Sequence, residues 1–206
     1  MEIDESFAHN WRAEVLARRP LILPARHFTY PGEAEEVERG ALEVLVRPAA
    51  VEGGESLPAA TDFLATCALG FRDPAVPTGL WSAPHPDWLC AVSGGYAYLI
   101  DTVRPTEFAM IELRPVMRVL PAPEQELLLF VGHTEILGWG RTGEAWHARR
   151  LSDEGIHVER IEAGVLHGRG WQMRTDREVS FALKLMTGKI EESGKLPLLT
   201  QGAPVE

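Results

Sequence analysis

Gly138, Gly140 and Gly143 have the G-x-G-x-x-G spacing with which backbone amides cradle a nucleotide phosphate. That chemistry needs a strand before the glycines, a crossover helix after them and an acid about 20 residues further on. Here EAWHARRL gives only eight residues before SDEG breaks the run, which is too short for a helix to cross a sheet. A kinase-type glycine loop would need a lysine on the strand that follows, and the first lysine of this chain is Lys184. The glycines are therefore expected at the turns of a strand hairpin, where they supply positive φ.

Histidines at His147, His157 and His167 lie ten residues apart. Three imidazoles could hold zinc if their strands were adjacent and their side chains faced one way. No HExxH or CxxC accompanies them, so no metal is expected. His133 and Glu135 fall in the turn GHTE and are read as solvated. Nucleophilic catalysis lacks a G-x-S-x-G elbow. Cys67 and Cys90 sit in the apolar runs LATCALGF and WLCAV, surroundings that raise a thiol's pKa and shield it. Asp153 and Glu154 belong to the turn SDEG. Asp101, closing YAYLID, is the better carboxylate for acid–base work, or else the cap of the turn DTVRP. Trp81, Trp88, Trp139, Trp146 and Trp171 crowd the C-terminal two thirds with Tyr96 and Tyr98 beside them. Such rings fill the space between sheets or line a binding face. Tyr96, Asp101, Trp139 and Arg141 make up the candidate ligand site. No catalytic residue and no cofactor are assigned.

These residues need a scaffold, and 206 residues with 45% apolar content are enough to bury one. The two cysteines are read as buried free thiols. A net charge of −10 and the absence of a basic stripe argue against a nucleic-acid partner. There is no long uncharged apolar window and no signal-like N-terminus, so a soluble, cytoplasmic protein with no membrane partner is expected. Cations are almost all arginine, which suits a bacterial gene of biased composition.

Phe7, Trp11 and Val15 recur at spacing four between Asp4 and Arg19, which predicts an amphipathic helix ended by Pro20. LILPARHFTYP reads as an extended edge segment. A helical turn at Glu33 to Arg39 is expected to stop at Gly40, followed by the strand ALEVLVRP and the mobile loop AAVEGGESLPAATD. From Phe63 onward short β-rich runs recur every eight to twelve residues with turn residues between them, the rhythm of an antiparallel sandwich, barrel or propeller.

LWSAPHPDWLCAVSGGYAYLI, from Leu80, aligns with VLPAPEQELLLFVGHTEILGW, from Val119: Ala83-Pro84 falls on Ala122-Pro123 and Asp87 on Glu126. A looser third copy begins near Val158. A strand-turn-strand-turn period of about 40 residues is blade spacing. Over residues 79–190 the chain resembles a β-propeller of the quinoprotein or WD-like type. It lacks the tryptophan-docking and G-H to W-D signatures in blade register. The expectation is thus one mainly antiparallel all-β domain, propeller-like or of stacked sheets. Residues 1–62 would supply the helix and edge strands, 63–190 the repeat body and 191–206 a tail. Functionally it reads as a non-catalytic binding module for an unknown protein, inhibitor- or immunity-like, with its acidic N-terminal third facing a basic partner. The rival is a small-molecule enzyme or sensor whose pocket lies where the blade loops converge.

Overall fold

The computed structural model describes residues 1–32, 39–49 and 61–191. Along these residues run β1 (Glu2–Asp4), β2 (Trp11–Leu16), β3 (His27–Tyr30), β4 (Ala41–Pro48), β5 (Phe63–Ala68), β6 (Gly79–Ser82), β7 (Trp88–Ser93), β8 (Tyr96–Asp101) and β9 (Phe108–Met110). Next come β10 (Arg118–Ala122), a 3₁₀ turn at Pro123–Gln125, β11 (Leu127–Val131), β12 (Ile136–Gly140) and β13 (Gly143–Ala148). β14 (Glu154–Glu162), β15 (Val165–Gln172), β16 (Arg177–Lys184) and β17 (Lys189–Ile190) complete the order. The described chain is all-β, and none of its helices is long and apolar enough to cross a membrane.

Four sheets form, with strand orders β2-β4-β5-β3 (sheet I), β1-β6-β7-β8-β9 (sheet II), β10-β11-β12-β13 (sheet III) and β14-β15-β16-β17 (sheet IV). Pairing is antiparallel except where β1 joins β6 and β3 joins β5. The apolar runs explain how the sheets pack. Side chains alternate across a strand, so in β7 Leu89 and Ala91 meet sheet I while Cys90 and Val92 meet sheet III. In β11, Leu128 and Phe130 meet sheet II, and Leu127, Leu129 and Val131 meet sheet IV. Strands covered on both faces carry near-continuous apolar sequence, as WLCAV and LLLFV do. The three core clusters of the described residues fall between sheets I and II, II and III, and III and IV. The described sheets thus pack as an open series.

Ring hydroxyls and indoles tie neighbouring sheets together. Tyr98 donates to the Ala68 carbonyl and Trp11 to the Trp88 carbonyl between sheets I and II; Trp146 donates to the Leu185 carbonyl between sheets III and IV. Each satisfies a polar tip that would be costly to bury unpaired.

The expected N-terminal helix is absent. β1 and β2 occupy its place, because residues four apart share a face in a strand as well as in a helix. Trp11, Ala13 and Val15 pack inward while Arg12 and Glu14 are exposed, which is period two. The loop after Pro20 leads to β3, which is indeed an edge strand. The helical turn expected at 33–39 and the loop expected at 49–62 lie largely outside the described residues. Gly40 has φ +123°.

Candidate interaction site

β8 separates the expected ligand residues. Tyr96 begins the strand and Asp101 ends it, five residues or about 17 Å apart. Tyr96 lies under the Arg114 guanidinium, 5.2 Å from the ring centre, with Phe71 edge-on. Asp101 is buried and accepts the Val103 and Arg104 amides on one oxygen, each at 2.9 Å, while its other oxygen holds the Arg104 guanidinium at 2.9 Å. All its described bonds go to the turn after β8. Trp139 packs against Trp88 with ring centres 6.1 Å apart, and Arg141 is exposed at the turn between β12 and β13. Trp88 pairs with Asp101, so Trp139 and Asp101 share one end of the stack and Tyr96 lies at the other.

The spaced histidines also separate. His147 is on sheet III, with Nε2 3.0 Å from the Glu135 carboxylate at ion-pair distance and Arg149 on the same carboxylate. Glu135 is therefore an ion-pair partner. His157 and His167 are on adjacent strands of sheet IV, opposite Arg169 and Arg160 respectively. Among the described residues no three His, Cys, Asp or Glu side chains converge on a metal-sized site. Cys67 and Cys90 are buried free thiols whose pKa burial pushes up. The glycine motif forms the hairpin of β12 and β13. Gly143 has φ +128° at its turn; Gly138 has ordinary φ and faces the Trp146 ring.

A different region brings functional groups together. Leu21, Ile22 and Leu23, in the loop joining β2 to β3, are 105%, 88% and 41% exposed. Single exposed aliphatics are ordinary, but three in a row are not. Pro20 and Pro24 bracket them, and proline cannot donate to a ladder, so the segment has no sheet to join. Arg18, Arg19 and Arg26 flank it. Its first half, with the end of β2, lines an open cleft of about 610 Å³ from Leu16 to Ile22.

The feet of this loop are fixed on the outer face of sheet I. Thr66, fully buried on β5, donates to Glu43 Oε2 on β4 at 2.6 Å, and His27 Nε2 lies 2.9 Å from the Thr66 hydroxyl. Arg19 reaches back from the other foot, its Nη2 3.3 Å from His27 Nε2 and its Nε 3.9 Å from Glu43 Oε1. Thr66 gives its one proton to Glu43, leaving its oxygen to accept from His27 Nε2–H; Arg19 then supplies the cation that a 6% exposed carboxylate needs. These contacts pin the loop as it crosses from β2 to β3, the two edge strands of sheet I. Sequence reasoning missed the group because Arg19, His27, Glu43 and Thr66 have no diagnostic spacing. The exposed tip did leave a signal, PLILP between arginines.

Another cleft, of about 430 Å³, is lined by residues including His9, Trp11, Arg12 and Arg47, with the His9 and Trp11 rings tilted at 35° and their centres 4.3 Å apart.

No protein-family model matches the chain, and no curated protein matches it in sequence.

Proposed function

We propose that the chain is a non-catalytic binding module that presents the loop between β2 and β3 to a protein partner. The supporting observation is the exposure of Leu21 and Ile22 on a loop tied to sheet I by the His27–Thr66 hydrogen bond at one end and by the Arg19–Glu43 ion pair at the other. A loop already held in shape loses little conformational entropy on docking. In the inhibitor- or immunity-type version the acidic N-terminal third would face a basic partner; Arg18 beside the apolar tip argues instead for a carboxylate on the partner at this contact, since Arg19 is engaged with Glu43 and Arg26 with Thr61. Nucleic acid and membrane are not proposed as partners, and the cytoplasm is the proposed location.

We read the sheets as blades of an open, propeller-like stack. Three consecutive sheets repeat the same strand order, apart from β1 added to the edge of sheet II, and each packs face to face on the next. The small-molecule alternative draws support from the cleft beside the paired His9 and Trp11 rings.

Thermal unfolding against metals, nucleotides, sugars and common metabolites separates the two readings. Ligand at a hundred times its dissociation constant adds about 2.7 kcal/mol, which is visible as a raised midpoint. The binding-module reading expects no such hit, together with a protein partner that is retained by the wild type and lost by Leu21→Asp/Ile22→Asp. A small-molecule hit abolished by changes at Arg12 or Arg47 would replace it.

A further inference from the structure

We propose that the Arg19–His27–Thr66–Glu43 group is a pH-sensitive latch, in which protonation of His27 expels Arg19 and frees the loop carrying Leu21 and Ile22. The inference concerns the loop proposed above as the contact surface, and rests on that reading only for its biological consequence.

The geometry makes His27 the shared element of both feet. It is the first residue of β3, and Arg19 stands three residues beyond the end of β2; Glu43 draws the guanidinium to 3.9 Å from its carboxylate, and this leaves Arg19 only 3.3 Å from the His27 ring nitrogen. The charged groups that face His27 among the described residues are Arg19 from the loop and Glu43 from β4; β5 contributes the uncharged Thr66 hydroxyl. With Nε2–H donated to Thr66, the imidazole takes up its second proton at Nδ1. The ring then carries a full positive charge beside the Arg19 guanidinium, with one carboxylate, Glu43, left to balance two cations. Arg19 is the member free to leave, since its side chain is about half exposed while Glu43 and Thr66 are buried in the sheet. Burial and the Arg19 charge together hold the imidazole below its ordinary range, with Glu43 opposing them. At neutral pH the ring is therefore neutral and the latch is closed.

The two cysteines allow a clean probe. Cys67 and Cys90 are buried, so a nitroxide attached to Ala25→Cys, at an exposed loop position, reports on the loop alone. The spin-label spectrum is expected to sharpen as pH falls from about 8 to about 5, following the titration of the His27 ring protons by NMR and leaving the near-ultraviolet circular dichroism unchanged. The pH response should disappear in His27→Gln, which cannot gain charge. Should that variant fail to fold, Arg19→Gln gives the same reading, because removing the guanidinium removes the repulsion. A spectrum that stays fixed while His27 titrates would overturn the latch, as would a response that survives in either folded variant or accompanies loss of the tertiary signal. The label is read on the isolated protein, so a fixed spectrum leaves the contact reading standing, and an unaltered partner profile for the loop-tip variant leaves the latch standing.

Discussion

Replacing Gly138 with alanine places a methyl group where the Trp146 ring already sits. The added Cβ would lie 2.5 Å from Cε2 and 2.6 Å from Cζ2 of the indole, about 1 Å inside ordinary carbon contact. The ring cannot simply retreat. Gly188 approaches its other part so closely that a Cβ there would lie 2.6 Å from Cδ2, and its Nε1–H is donated to the Leu185 carbonyl. Overpacking of this kind costs about 1–3 kcal/mol; the relief of glycine's backbone entropy returns only about 0.5–1 kcal/mol. The mid-range net loss of about 1 kcal/mol corresponds to a fall of roughly 2–4 °C in the unfolding midpoint at this chain length. Differential scanning calorimetry on wild type, Gly138→Ala, Trp146→Leu and the double variant makes a complete cycle. Trp146→Leu is destabilising alone because it opens the space between sheets III and IV. Gly138→Ala should cost little in that background, since the ring it strikes is gone, giving a coupling of about 1 kcal/mol or more. Additive losses, or a stable Gly138→Ala, would refute the clamp.

Asp101→Ala should destabilise by about 1–3 kcal/mol in chemical denaturation, because the Val103 and Arg104 amides lose their acceptor, while partner binding stays unchanged. Cys67 and Cys90 should resist a thiol-specific disulfide reagent in the native state and react fully in denaturant, since burial both shields them and disfavours the thiolate. His27 takes up its proton at lower pH folded than unfolded. Its contribution to stability is therefore complete above the ordinary histidine value of 6.5 and is lost as pH falls from there through the folded pKa. Denaturant midpoints of the wild type should decline over that window more steeply than those of His27→Gln.

The strands from Phe63 onward were legible because they are short, apolar and punctuated by turn residues: LLLFV and YAYLI have no other economical fate than a strand buried on both faces. β6 and β9 were harder, having only four and three residues and little periodicity. The N-terminal segment misled because spacing four fits two periods, and the deciding alternation of Trp11, Ala13 and Val15 with Arg12 and Glu14 was outweighed by Phe7, which belongs to the connection before β2. Asp101 was recognisable as either a catalytic acid or a turn cap, and it is the folded turn that bonds both of its oxygens. Tyr96 and Asp101 stood near each other in sequence, but an extended strand carries its ends apart. The latch was illegible, since its four members come from a loop and three strands of sheet I, and parallel pairing of β3 with β5 leaves no local signature.

The most direct test of the loop as contact surface is a quantitative comparison of the proteins retained by immobilised wild type, Leu21→Asp/Ile22→Asp and Asp101→Ala, all checked for native circular dichroism. Burying the two side chains is worth about 3–6 kcal/mol before binding costs, so the loop variant should lose a partner that the wild type and the Asp101→Ala control both retain. A partner held equally by all three proteins would contradict the assignment of the loop as the binding surface.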